Sequence, residues 1–139
     1  MVRPFEILEH PADIGFRAFG ATLPELFTEA AMAMLAIASD PQAAEVRETY
    51  RLAVQSGDRE SLLVAWLSEV LHWFDGKRVA FHEFHVSQFN DTSLEATGAG
   101  EPRLAERHRA RLIVKAVTYH QLKIEQREGL WVAEVYLDI

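Results

Sequence analysis

In the last nine residues, Trp131 to Ile139, the odd positions Trp131, Ala133, Val135, Leu137 and Ile139 are all apolar, while Glu134 and Asp138 fall on the other face. A period of two over that length specifies a half-buried β-strand, because successive side chains of a strand point to opposite faces. The sequence ends inside this pattern, so Ile139 is expected to be anchored in the core with its main-chain carboxyl held in place beside the Asp138 side chain. A third acidic group, Asp13, stands in the N-terminal stretch His10-Pro11-Ala12-Asp13-Ile14-Gly15. Clustered oxygen ligands of this kind suit a hard divalent cation. The expectation is an acidic metal site built from both ends of the chain, with Asp13, Asp138 and Ile139 as its donors. The plainer alternative is three solvated carboxyls at a loose terminus.

At 139 residues the chain has the length of one domain spanning 1–139, enough to bury a substantial core without disulfides or a structural metal. It contains no cysteine, which excludes disulfides, thiolate metal sites and cysteine nucleophiles. The start, Met1-Val2-Arg3-Pro4-Phe5, lacks the apolar centre of a signal peptide, and the longest apolar run, residues 30 to 38, is too short to span a bilayer. A soluble, cytoplasmic protein without membrane contact is expected. The formal charge of −7 opposes the counterion release that drives most nucleic-acid binding, so stable direct binding to RNA or DNA is not expected. The basic residues Arg103, Arg107, Arg109, Arg111 and Lys115 gather locally and read as a solvated strand and loop face.

Two helices are signalled. The first opens at Thr22-Leu23-Pro24-Glu25, a capping box with proline in the first turn, and should run to about Ser39, before Asp40-Pro41. The second begins near Asp58 and carries Leu62, Leu63, Trp66, Leu67, Val70, Leu71 and Phe74 on a broad apolar face, ending at Asp75-Gly76. Strands are predicted over residues 5–9, 13–19, 45–54, 79–89, 92–97, 111–119, 121–126 and 130–137, the last two joined as a hairpin through a turn ending in Gly129. Helices set among short-linked strands indicate an α+β fold, two main helices on a mostly antiparallel sheet. The stretch from Gly98 to His108, rich in turn residues and charge, is expected to be the least ordered.

Other chemistries find little support. Gly98-Ala99-Gly100 lacks the lysine and hydroxyl residue that complete a phosphate-binding loop. His82 and His85 lie on opposite faces of a regular strand, although a slip in its alternation between Phe81 and Phe84 predicts a bulge. No serine sits in a glycine elbow. Within Lys115-Ala116-Val117-Thr118-Tyr119-His120, strand alternation puts Lys115, Val117 and Tyr119 on one face and Ala116, Thr118 and His120 on the other.

These segments, taken in order, resemble the archease family. The likeness is carried by His10-Pro11-Ala12-Asp13-Ile14-Gly15, Gly20, Leu62 to Leu67, Gly100-Glu101, Lys115 to His120 and the ending Leu137-Asp138-Ile139. Pro11 stands where that family commonly has threonine. The resemblance implies an α+β fold, a divalent ion (calcium as the bound ion, with manganese or magnesium as alternatives) held by Asp13, Asp138 and Ile139, and His10, Lys115 and Thr118 as supporting or partner-contacting residues. It also implies a non-catalytic role: promoting guanylylation and multiple turnover of an RtcB-type RNA-splicing ligase in tRNA processing, and broadening that ligase's nucleotide use. Two alternatives remain beside it, a small metal-dependent phosphoesterase and a general chaperone or assembly adaptor.

Overall fold

The computed structural model describes residues 12–139. His10, Pro11 and the strand expected over residues 5–9 lie outside the described residues.

Strand β1 (Asp13–Gly20) leads directly into helix α1 (Leu23–Ala38). The helix starts where expected because Thr22 accepts the Glu25 N–H at 3.2 Å, while the Glu25 carboxylate accepts the Ala21 N–H at 2.7 Å. This is the reciprocal logic of a capping box, with the return bond shifted one residue upstream. At the other end Ser39 caps by donating its N–H to the Leu35 carbonyl. Strand β2 (Glu48–Gln55) and helix α2 (Arg59–Leu71) follow, the helix capped by Asp58, whose side chain accepts the Ser61 N–H at 2.8 Å. The helix does not run unbroken to Gly76: its last turn, His72–Gly76, widens into a π-helix.

The remaining strands are β3 (Val79–Asn90), β4 (Ser93–Pro102), β5 (Ala116–Val117), β6 (Lys123–Arg127) and β7 (Leu130–Asp138). They pair into two antiparallel sheets: one in the order β1-β7-β5 with β6 also on β7, the other in the order β2-β4-β3. The predicted bulge is present, since the β3 register shifts between Phe81 and Glu83 and again between Val86 and Gln88. The β6–β7 hairpin turns through Glu128 and Gly129, both at positive φ.

Both helices touch both sheets: α1 packs on β1, β7 and β3, and α2 on β2, β4 and β5. One core results, joining Ala133, Val135 and Leu137 of the first sheet to Leu52, Phe81 and Leu94 of the second through Leu26, Phe27, Leu63 and Trp66. The buried Trp66 indole donates to the Phe27 carbonyl at 2.9 Å and ties the two helices together. The apolar stripe of Trp66 and its neighbours is therefore core.

Two sequence expectations are corrected. Residues 111–119 form a strand only at Ala116–Val117, because the Arg111 N–H goes to the Ala38 carbonyl at the end of α1 instead of to a strand. Gly98 to Gly100 is not a loose turn but the middle of β4, where the missing side chains permit close approach: a Cβ on Gly100 would lie 2.0 Å from the Ala80 carbonyl oxygen.

Candidate functional site

The β1–β7 ladder brings the segment beginning at Asp13 against the segment ending at Asp138. Asp13 is the register partner of Asp138, followed by Gly15 opposite Tyr136 and Arg17 opposite Glu134. Ile139 donates its N–H to the Ala12 carbonyl at 3.0 Å, which makes Ala12 and Ile139 the hydrogen-bonded pair. Asp13 and Asp138 then occupy the adjacent non-hydrogen-bonded position, where antiparallel side chains come closest. Paired Cβ atoms at such positions lie roughly 4.5–5.5 Å apart, and like charges directly opposite destabilise the ladder.

The two carboxylates fall on the outward face: Asp13 is half-buried and Asp138 exposed. Ile14 and Phe16, on the alternate face, pack on the core. On the far side of β7, Ala116 is the register partner of Asp138, and the Lys115 N–H donates to the Asp138 carbonyl at 2.8 Å. Asp138 thus sits on a central strand held from both sides. Ile139, expected in the core, is half-buried and stands outside the core cluster, although its backbone is pinned as described.

Lys115 and Thr118 contribute in different ways. Thr118 donates both its N–H, at 3.1 Å, and its hydroxyl, at 3.0 Å, to the Tyr136 carbonyl, so its polar groups fix the approach of this segment to β7. The exposed Lys115 side chain lines a groove against α2. Sequence reasoning missed Tyr136, whose ring lies over Gly15 so closely that a Cβ there would meet it at 2.7 Å. The His120 ring meets Tyr136 edge to face at 5.7 Å. Below them Arg17 pairs with Glu134 at 2.9 Å, holding the Glu134 carboxyl below its ordinary range. The alternation of β7 put Tyr136 on this face with Glu134 and Asp138, but gave no sign that its ring would lie over Gly15.

A second polar cluster lies elsewhere, at the start of the segment connecting β4 to β5. Glu101, 1% exposed, accepts from the Glu45 N–H at 2.9 Å, from His108 Nε2 at 2.9 Å and from Arg107 at 3.2 Å. The Leu104 N–H donates to His108 Nδ1 at 2.8 Å, which assigns the ring proton to Nε2. These bonds hold the Glu101 carboxyl below the usual range, the Glu45 N–H first among them and His108 next, against the opposing effect of burial.

As a donor set, Asp13 and Asp138 offer hard oxygens and could hold a divalent cation together with the main-chain carboxyl of Ile139. Among the described residues, no group of three or more His, Cys, Asp or Glu side chains is placed to hold a metal ion. No helix among the described residues is long and apolar enough to cross a membrane.

Comparison with known proteins decides the family. The model of the Archease protein family (MTH1598/TM1083) matches residues 5–139. The chain belongs to the archease family. Its relatives include the archease of Methanosarcina mazei, 39% identical over 99% of this chain and 97% of that one. The archease of Methanothermobacter thermautotrophicus is likewise 39% identical, over 99% of this chain and all of its own. Among solved structures, Methanobacterium thermoautotrophicum protein 1598 superposes with a TM-score of 0.75 at 37% identity over 94% of each chain. A Thermotoga maritima archease, described as a possible chaperone, shares the fold at a TM-score of 0.65 and 21% identity, over all of this chain and 98% of its own. The α+β architecture of two helices and two antiparallel sheets is that of the archease structures.

Proposed function

We propose that this archease is a protein cofactor of an RtcB-type RNA ligase, promoting the ligase's guanylylation and hence its multiple turnover in tRNA splicing. The observation that carries the reading is the facing of Asp13 and Asp138 across β1 and β7 in a chain of this family. Two carboxylates held opposite each other by a rigid ladder are costly unless something offsets their repulsion. Asp13, Asp138 and the Ile139 carboxyl would hold a divalent ion, calcium as the resident ion or manganese or magnesium in its place. When bound, such an ion supplies neutralisation of the charge that gathers on phosphoryl oxygens during nucleotidyl transfer.

The chain's own residues supply the scaffold for that chemistry. The Ile139 N–H to Ala12 bond and the Lys115 N–H to Asp138 bond fix the backbone on both sides of Asp138. Thr118, bonded twice to the Tyr136 carbonyl, resists sliding of the flanking segment. The acidic corner is thereby presented outward on the sheet rather than within a substrate cleft, an arrangement suited to entering a partner's site and poorly suited to enclosing a phosphoester.

The test is RNA joining under multiple turnover, using a substrate with a 2′,3′-cyclic phosphate end and a 5′-hydroxyl end, with the ligase in limiting amount. Addition of this protein should sustain turnover beyond one product per ligase. Hydrolysis of phosphoesters by the isolated chain would replace this reading with that of an enzyme.

A further inference from the structure

Residues 103 to 115, between β4 and β5, have no regular secondary structure, yet they are pinned along their length. The Arg103 N–H donates to the Arg78 carbonyl at 2.8 Å, and the Arg103 guanidinium donates to the Phe74 carbonyl at 3.2 Å. His108 is locked to Glu101, and the Ser39 hydroxyl donates to the Arg109 carbonyl at 2.8 Å. The Arg111 N–H reaches the Ala38 carbonyl at 2.9 Å, Val114 is buried, and Lys115 joins Asp138. The connection is a strap drawn tight across the end of α1.

Within this strap two adjacent large apolar side chains are turned outward: Leu112 is 40% exposed and Ile113 is 73% exposed. Single exposed apolar residues are commonplace, whereas these two are contiguous, held out by a fixed backbone and placed beside a concavity. The concavity is an open groove of about 460 Å³ between the end of α2 and β5, lined by Ser68, Leu71, His72, Asp75, Lys115 and Val117. Leu71 and Asp75 also line a small cavity of about 30 Å³ together with Leu112 and Ile113, so the strap and the groove are continuous.

The charges of the groove select its occupant. Asp75 is already paired with Arg103 at 3.2 Å. Lys115 has no ion pair among the described residues, which leaves an unneutralised cation at the mouth of a groove whose apolar lining is Leu71 and Val117. The fitting partner segment carries an apolar side chain flanked by a carboxylate. The groove lies on the helix side of β5, and the Lys115 N–H to Asp138 bond ties that segment to β7, whose outward face carries the acidic corner.

We propose that this groove, rimmed by Leu112 and Ile113, is the docking surface for the ligase, receiving an apolar and acidic segment of it and so seating the Asp13 and Asp138 corner at the ligase's reaction site. The inference rests on the ligase reading above and assigns the residues that hold the partner, as distinct from those that hold the ion. Because Ile113 and Lys115 are exposed, their substitution should leave folding intact.

The experiment measures the affinity of the full-length chain for the RtcB-type ligase of the same organism, for wild type, Ile113→Ser and Lys115→Glu, alongside thermal midpoints and sedimentation. The expected result is that each variant melts as wild type does and binds roughly tenfold or more weakly. Wild-type binding that is unchanged in both variants overturns the docking surface and leaves the ligase reading standing. Failure of the wild type to bind the ligase overturns both. A wild-type dimer that Ile113→Ser dissociates assigns the groove to a second copy of the chain and overturns the ligase as its occupant.

Discussion

Asp13 and Asp138 face each other as register partners across β1 and β7, one step in from the hydrogen bond between Ile139 and Ala12. With no cation present, this arrangement sets two like charges directly opposite on the outward face of an antiparallel ladder. Asp138→Asn should therefore leave stability in chelator unchanged or raise it by about 0.2–1 kcal/mol. Added calcium or manganese should stabilise the wild type, by about 2.7 kcal/mol at a hundredfold excess over the dissociation constant, and leave the variant unmoved. Thermal melts with and without the ion check this, and equal ion responses in the two proteins would remove Asp138 from the donor set.

Glycines at two positions should respond oppositely to what their surroundings suggest at first sight. Gly100 lies in a regular strand, yet a methyl group there would sit 2.0 Å from the Ala80 carbonyl oxygen, which is backbone and cannot swing aside. Gly100→Ala should cost about 3 kcal/mol or prevent folding. Gly129 has open space around it but a φ of +84°, so Gly129→Ala should cost only about 1 kcal/mol. Denaturant melts of the two variants give the ranking, and a reversed order would contradict the packing of β4 on β3.

Glu101 couples the strap to pH. Its carboxyl is held below the ordinary range by the Glu45 N–H, by His108 and by Arg107. A depressed carboxyl contributes stability that is complete above the ordinary glutamate value of about 4.3 and is lost as pH falls through the lower folded value. Glu101→Gln should be less stable than wild type near neutrality, with the gap closing on acidification below about pH 4. A gap that stays constant with pH would show that the charge of Glu101 is not what holds the strap.

The parts of the fold that were legible are those where local chemistry and tertiary structure agree. Thr22 to Glu25 caps a helix by itself, and the alternation from Trp131 onward needs only one apolar face to define its strand. That alternation put Asp138 in view, and the stretch from His10 to Gly15 put Asp13 in view, before any pairing was known. Its reading of Ile139 went too far, because the last residue is fixed by its backbone bond to Ala12 and only half-buried.

What stayed hidden depends on distant partners. Glycines that signal turns by composition serve in β4 to admit the Phe81 ring at Gly98 and the Ala80 carbonyl at Gly100. The arginines of residues 103 to 111 read as a solvated face, yet Arg103, Arg107 and Arg111 donate to the carbonyls of Phe74, Ala43 and Ala36. No local pattern announces that Glu101 and His108 will be buried against each other, since Glu101 belongs to β4 and His108 to the irregular segment that follows it.

The most direct test of the central claim is the rate of ligase guanylylation, measured with GTP and manganese, with and without catalytic amounts of this protein. The account predicts acceleration by the wild type that is lost in a folded Asp138→Ala variant. Acceleration undiminished in that variant would contradict the role of the acidic corner, and no acceleration of an active cognate ligase by the wild type would contradict the proposed function itself.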